Sequence, residues 1–237
     1  MAPHGHSQKE VEHRIGNPPG RGLLRDVVYG GIDGSVTTFA IVAGVAGAGL
    51  SPFIIVALGI ANVLADGFSM AAGNFLGTKA ELDDAKRLRA VEKHHLKEWP
   101  EGERREIREI LRLKGLEGEV LEAATDAIAA NEEAAVQLML EGEYGLAGVD
   151  PHPQRAAMAT FLAFLVAGFV PLLPFIFGVP DAFTWSAMMT GVTFFAIGTM
   201  KAKWSLEPWW KSGLETLAIG GVAAAIAYGV GSLFNVG

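Results

Sequence analysis

The chain has 237 residues, of which 50% are hydrophobic, 19% are charged and none is cysteine, and its formal net charge is −7. The lack of cysteine excludes disulfide bonds and thiolate metal sites, and no basic cluster is dense enough to bind the phosphates of a nucleic acid. The mean hydropathy of +0.31 is high for a chain with this many charged residues, so the charges must be segregated along the sequence.

Apolar segments of membrane-spanning length account for the hydropathy. Four stretches contain no Asp, Glu, Lys or Arg: 34–65, 156–180, 182–200 and 216–237. One crossing needs about 20 mainly apolar residues, and the first apolar region is long enough for two, because Pro52 near its middle favours a helix start. The sequence therefore predicts an all-α integral membrane protein with five transmembrane helices, at about 27–49, 52–77, 156–180, 182–200 and 216–237.

The segment between the second and third crossings is rich in charge and has regularly spaced apolar residues. It predicts three helices, which end at a Trp-Pro pair or at a glycine: Lys79–Lys97, continuing out of the second crossing, Glu101–Lys114 and Glu117–Tyr144. The predicted organisation is thus a flexible cytosolic tail (1–25), crossings one and two (26–78), a three-helix cytosolic domain (79–150) and crossings three to five (151–237).

The distribution of basic residues predicts the orientation. All 19 Lys and Arg residues lie in the tail, in 79–155 or between crossings four and five, which a five-helix protein places on one side. Basic residues accumulate on the cytosolic side of membranes. We therefore expect a cytosolic N-terminus and an outer C-terminus.

Two carboxylates lie within the predicted crossings. Asp33 is in the first crossing, and Asp66 is in the second, one turn from Met70 and on the same helix face. Ionisable residues at membrane depth are costly and mark pathways or relays, and no Lys or Arg within 26–78 neutralises them. A carboxylate beside a thioether suits a transition metal better than an alkali ion, because sulfur is a soft ligand.

Each predicted cytosolic helix carries a pair of potential ligands on one face. The pairs are Glu92 with His95, Glu103 with Glu106, and Met139 with Glu143. If the pairs converge, they form a site for a divalent ion such as Fe²⁺, Mn²⁺ or Zn²⁺. Solvated charged faces are the usual reason for such pairs on surface helices, so spacing alone leaves both interpretations open.

Several motifs recur in the order in which a known family has them. They are Gly31-Ile32-Asp33-Gly34-Ser35-Val36-Thr37-Thr38, Ala65-Asp66-Gly67-Phe68-Ser69-Met70-Ala71-Ala72-Gly73, and Glu106-Ile107-Arg108-Glu109-Ile110. Together with Met139 and the later run Glu143-Tyr144-Gly145-Leu146, they resemble the vacuolar iron transporter family. The resemblance covers about residues 22–237.

The resemblance implies a homodimer of five-helix subunits in membrane lipid. Such a protein moves Fe²⁺ and related divalent ions out of the cytosol in exchange for protons, with the metal as substrate, and it is neither an enzyme nor the carrier of a prosthetic group. The family's pathway residues match Asp33 and Met70. The ligands of its cytosolic domain match Glu92, Glu103, Glu106, Met139 and Glu143.

Three positions depart from the family pattern. His95 stands where a Glu is expected, Leu140 where an acid can occur, and Asn74 replaces an acid after the Met-Ala-Ala-Gly run. The cytosolic site is therefore expected to hold fewer ions, or to prefer metals that accept nitrogen ligands, such as Zn²⁺ or Co²⁺. Glu141 could compensate for Leu140.

Two alternative functions remain open at this point. A membrane-anchored ferritin-like oxidase or storage protein needs two Glu-x-x-His motifs and two further Glu residues on a four-helix bundle. The chain has one such motif, Glu92–His95, and this function leaves Asp33 and Met70 without a role. A passive channel fits the same crossings but leaves the three ligand pairs incidental.

Overall fold

The structure, a computed structural model, describes residues 6–16, 22–146 and 152–234, and every regular element in these ranges is helical. The all-α fold class is therefore confirmed. In chain order the α-helices α1 to α10 are Gln8–Gly16, Leu24–Gly47, Pro52–Glu98, Pro100–Leu113, Gly118–Ala129, Glu132–Gly142, Pro153–Phe169, Leu173–Ile176, Ala182–Lys201 and Trp209–Leu233. Short 3₁₀ segments, Val170–Leu172 and Ala202–Trp204, precede α8 and follow α9.

The chain divides into two compact units. The apolar unit comprises the described residues 22–76 and 152–234, and the charged unit comprises 6–16 and 77–146. Helix α3 contributes residues to both units. The tail predicted as flexible, 1–25, lies partly outside the described residues, and its described part contains α1.

Within the described ranges, four helical segments are long and apolar enough to cross a membrane: Leu24–Gly47, Pro52–Glu98, Pro153–Ile176 and Trp209–Leu233. Helix α9, at the position of the predicted fourth crossing, is not one of them, because Ser, Thr and Trp side chains lower its hydropathy. It is nevertheless 20 residues long and packs against α2 and α10. The third predicted crossing contains a 3₁₀ segment, Val170–Leu172, at Pro171, and Pro174 lies in the following helix α8. Proline cannot donate the backbone hydrogen bond of an α-helix.

The prediction of a single helix from Glu117 to Tyr144 is wrong. The structure has two helices there, α5 and α6, separated at Ala130 and Asn131. The Asn131 side chain accepts a hydrogen bond from the Ala134 backbone N–H, so it starts a new helix as an N-cap. Residues 77–146 thus contain the end of α3 and the helices α4, α5 and α6, rather than three helices.

Helix α2 is the central helix of the apolar unit and packs against α7, α9 and α10. Glycines allow its backbone to approach its neighbours closely, as small residues do between membrane helices. A Cβ atom on Gly34 would lie 2.9 Å from Phe164 Cα. The buried side chains of Phe39, Val42 and Val63 extend this packing into a core shared with Leu172.

We expect Gly34→Ala to lower the free energy of unfolding of the detergent-solubilised protein by about 1–3 kcal/mol, because overpacking forces helices apart. The melting temperature should fall accordingly. Gly73→Ala is the matched control, since a Cβ there would meet no atom within 4 Å. Equal melting temperatures for the two variants would contradict the tight α2–α7 contact.

Candidate metal centre

Two hydrogen bonds join α2 to α3 within the apolar unit. Near the start of α2, the Asn74 side-chain amide donates to the Asp26 carboxylate at 2.9 Å. Three turns further along α2, the Asn62 amide donates to the Thr37 hydroxyl at 3.5 Å. The two bonds set the register of the antiparallel helices.

The predicted pathway residues lie between these two bonds. On α3, Asp66 and Met70 fall between Asn62 and Asn74 at steps of four residues, so all four share one helix face. On α2, Asp33 falls between the two bonded positions. The register therefore brings Asp33 opposite Asp66, one turn from the level of Met70, and Asp33 is within electrostatic range of Asp66.

The side chains of the three predicted pathway residues are half-buried. Two carboxylates and a thioether, without a Lys or Arg in 26–78, offer hard and soft donors to a cation. Any cation that passes between α2 and α3 at this level must therefore meet both kinds of ligand.

The structure gives a physical reason for Asn74. Its amide also donates to the Thr160 hydroxyl on α7, at 2.7 Å, so one side chain links three helices. An acid at this position could not donate both bonds and would repel Asp26. The departure from the family pattern at this position is thus explained by a local network of the apolar unit.

In the charged unit, Glu92, His95 and Glu103 come together. Each offers one ligand atom, and the three atoms lie within 4.8 Å of one another. His95 Nδ1 is 3.6 Å from a Glu103 oxygen and 3.9 Å from a Glu92 oxygen. Helix α3 supplies the first two residues at i, i+3 spacing, and α4 supplies the third, because Pro100 begins a new helix directly after Trp99.

The two carboxylates are deeply buried, with 1% of Glu92 and 4% of Glu103 exposed. The Oε2 atom of each is buried and finds no hydrogen-bond partner among the described residues. Burial, followed by the negative charges of Glu106 and Glu92, raises the pKa of Glu103 to about 7. Unpaired buried carboxylate oxygens are costly, so the arrangement favours a cation between them.

Glu106 and Glu143 lie at the edge of this cluster. Both are exposed, and both are close enough to Glu103 for their charges to raise its pKa. The pKa of Glu143 is itself raised, first by partial burial of its carboxylate and then by the charges of Glu106 and Glu92.

Met139 lies in a different environment from the acids. It is fully buried in the apolar core of the charged unit, with Ile107, Leu111 and Leu121. Leu140 packs in a second small cluster with Leu88 and Val136. Glu141 is exposed and accepts a hydrogen bond from Gln137, an interaction separate from the three-residue cluster.

Tyr144 is the residue that sequence reasoning missed as part of the site. Its hydroxyl donates a hydrogen bond to Glu92 Oε1 at 2.9 Å. Burial and the neighbouring carboxylates of Glu92 and Glu143 raise the pKa of the phenol, so it stays protonated as a donor. The only signal in the sequence was its place beside Glu143, because its partner Glu92 is 52 residues away.

Comparison with known proteins decides the family. The sequence profile of the VIT family matches residues 24–232. The chain belongs to the VIT family. It is 34% identical to vacuolar iron transporter 1 of Arabidopsis thaliana over 212 residues, which cover 87% of this chain and 84% of that protein.

Other relatives show the same breadth of similarity. The chain is 36% identical to vacuolar iron transporter 1 of Tulipa gesneriana, with 87% of this chain and 85% of that protein covered. It is 35% identical to the vacuolar iron transporter of Toxoplasma gondii, with 90% and 74% covered. The resemblance seen in the motifs is therefore confirmed, and with the four apolar helices it makes the chain an integral membrane protein.

Proposed function

We propose that this protein exports Fe²⁺ and related divalent ions from the cytosol in exchange for protons. The observation that carries the proposal is the register of α2 and α3, which sets Asp33 opposite Asp66, with Met70 one turn away, inside apolar helices. The names of the relatives, vacuolar iron transporters, support iron as the cargo. The proposal extends that cargo to Mn²⁺, Co²⁺ and Zn²⁺.

In the proposed mechanism, the cluster of Glu92, His95 and Glu103 collects the ion from the cytosol. Each ligand must lose its proton to bind metal. The ion then passes to Asp33, Asp66 and Met70, whose donors replace part of its hydration shell. Protons arriving from the outer side compete for the same carboxylate oxygens and release the ion there.

The imidazole of His95 bears on the choice of metal. It replaces an acid of the family pattern and lies within ligand distance of both buried carboxylates. Nitrogen donors suit Zn²⁺, Co²⁺ and Fe²⁺ better than Mn²⁺, in line with the general order of affinities. We propose the same preference for this site, with Glu106, Met139 and Glu143 as further members of the ligand set.

The proposal includes an arrangement in the membrane. Helix α9 serves as the fifth crossing, because it packs between α2 and α10 and its only charged side chain is the terminal Lys201. The N-terminus is cytosolic and the C-terminus lies outside. The protein is a homodimer in a bacterial inner membrane or a vacuolar-type membrane.

We expect Fe²⁺ uptake by proteoliposomes containing the full chain to rise when the lumen is acidic, because lumenal protons displace the ion from the carboxylates. Uptake is measured with a metal-sensitive dye in the lumen, with and without the pH gradient, and with an ionophore that collapses the gradient as control. Flux that ignores the gradient would indicate a channel. Binding without flux would favour the ferritin-like alternative, for which the site of two acids and one imidazole provides part of the ligand set.

A further inference from the structure

We propose that Trp99 is a positioning residue of the metal centre, whose indole holds the His95 imidazole beside the carboxylates of Glu92 and Glu103. The inference rests on the proposed function, because it concerns the cargo site of the charged unit. It assigns a role to a side chain that offers no metal ligand of its own, since the indole nitrogen can only donate a hydrogen bond.

His95 is the member of the cluster that burial does not hold in place. Its side chain is 36% exposed, whereas the two carboxylates are almost fully enclosed. Its Nδ1 lies 3.6 Å from a Glu103 oxygen and 3.9 Å from a Glu92 oxygen, which is too far for hydrogen bonds. These separations suit two donors that share one ion, each about 2.1 Å from it. Before an ion arrives, contacts other than hydrogen bonds to these acids must therefore hold the ring.

The indole of Trp99 supplies such a contact. It lies edge-on to the His95 imidazole, with ring centroids 5.3 Å apart and ring planes at 67°, an arrangement in which aromatic pairs attract each other. His94 also meets the indole, at 6.1 Å and 82°. Because His94 is exposed and is not one of the three residues whose ligand atoms cluster, Trp99 reaches the site through His95.

The backbone fixes the indole at the corner between α3 and α4. The Trp99 N–H donates to the His95 carbonyl at 2.8 Å, and the Trp99 carbonyl accepts from the Glu103 N–H at 3.2 Å. Pro100 follows directly and disfavours the α conformation at Trp99, whose φ is −135°. Trp99 is thus tied to two of the three clustered residues by bonds that do not require a bound ion.

The contact lowers the free-energy cost of presenting the imidazole to an ion. A partly exposed side chain otherwise samples several rotamers, and metal binding must then select one of them. The attraction of the indole favours the rotamer in which the ring lies beside the acids. An aromatic contact of this kind shifts such an equilibrium by about three- to tenfold.

The test is Co²⁺ binding by the full chain in detergent, measured by calorimetry for wild type, Trp99→Ala and Trp99→Phe. We expect the affinity to fall about three- to tenfold in Trp99→Ala, and Trp99→Phe, which keeps an aromatic ring, should restore most of the loss. Trp209→Ala is the matched control, because Trp209 is equally exposed and meets Phe195 edge-on at 6.0 Å in the apolar unit. Its Co²⁺ affinity should equal that of the wild type.

Double-mutant cycles identify the residue through which Trp99 acts. In a His95→Ala background, Trp99→Ala should change the remaining Co²⁺ affinity by less than about twofold, because its target is gone. In a His94→Ala background the full loss should persist. Folding is checked by thermal unfolding, and if Trp99→Ala does not fold, Trp99→Leu, which keeps apolar bulk without a ring, replaces it in both cycles.

The outcomes separate this inference from the proposed function. Unchanged affinity in Trp99→Ala, an equal loss with and without His95, or no restoration by Trp99→Phe would overturn the inference alone. A wild-type protein that binds no Co²⁺ would overturn the cytosolic site and this inference together. Flux that is absent in the wild type while the Trp99 effect on binding persists would overturn only the transport proposal.

Discussion

Asp33→Ala should abolish Fe²⁺ flux in proteoliposomes, with a loss of at least roughly a hundredfold, since even outer-shell partners of metal ligands are worth 10–100-fold. Asp33 lies between the two hydrogen bonds that set the α2–α3 register, and its own side chain is in neither. The variant therefore removes a donor without removing a contact that holds the helices. Flux is measured under an imposed pH gradient, and folding is checked by thermal unfolding in detergent.

The controls for Asp33 separate the pathway from general loss of charge. Asp33→Asn keeps the side-chain shape but can neither bind a cation strongly nor carry a proton, so we expect it to be as inactive as Asp33→Ala. Asp181→Asn removes an exposed acid at the start of α9, where the φ of 53° suits Asn as well as Asp. Its flux should equal that of the wild type. A stable Asp33→Ala variant with normal flux would refute the pathway.

Glu103→Gln should abolish high-affinity metal binding by the charged unit, again with a loss of at least about a hundredfold. It replaces an anionic oxygen by an amide at a site where the Glu103 carboxylate is buried and incompletely paired. Glu109→Gln is the matched control on the same helix, because Glu109 is exposed and paired with Arg112. Binding is measured by calorimetry on the full chain with Co²⁺ or Fe²⁺ under anaerobic conditions.

Glu103 also determines how metal affinity and protein stability are expected to depend on pH. Because its pKa in the folded protein is about 7, a proton must leave before metal binds, and affinity should fall as pH drops below that value. Without metal the effect on stability has the opposite sign. The folded state holds a proton that the unfolded state, with its ordinary pKa of 4.5, has lost, so stability decreases as pH rises from 4.5 to about 7.

Glu103→Gln should remove the trend in stability, because glutamine does not titrate. The unfolding midpoint of the metal-free protein is therefore compared between pH 5 and pH 8 for wild type and Glu103→Gln, and metal affinity is followed over the same range for wild type. Parallel pH profiles for the two proteins would contradict the assignment of the titration to Glu103.

The helices of the chain follow from local rules, and the sequence predicted most of them. Segments free of charge are long enough to span a bilayer, and Pro52, Pro100 and Gly115 mark helix ends through backbone restrictions that act within a few residues. The errors arose where local signals are weak. An Asn at position 131 was not recognised as a helix start, because Asn also occurs within helices and its capping bond is visible only in three dimensions.

The site residues likewise divide into those that local spacing predicts and those that only the three-dimensional structure identifies. Helical spacing places Glu92 with His95, and Asp66 with Met70, on one face, since such pairs need only the helix repeat. Spacing also groups Met139 with the acids; its side chain lies in the apolar core beside Ile107, and its place in the ligand set stays a prediction. Periodicity identifies a face of a helix, but it does not distinguish a thioether that packs from one that binds.

The sequence by itself thus determined the helical class, the family and the residues able to bind a metal, because these depend on composition, local periodicity and motifs. Only the tertiary structure decided which of those residues meet. The pairing of Asp33 with Asp66 depends on the Asn62 and Asn74 hydrogen bonds between helices, and the bond from Tyr144 to Glu92 joins residues 52 positions apart. Such contacts depend on how helices pack, and packing is a property of side chains distant in sequence.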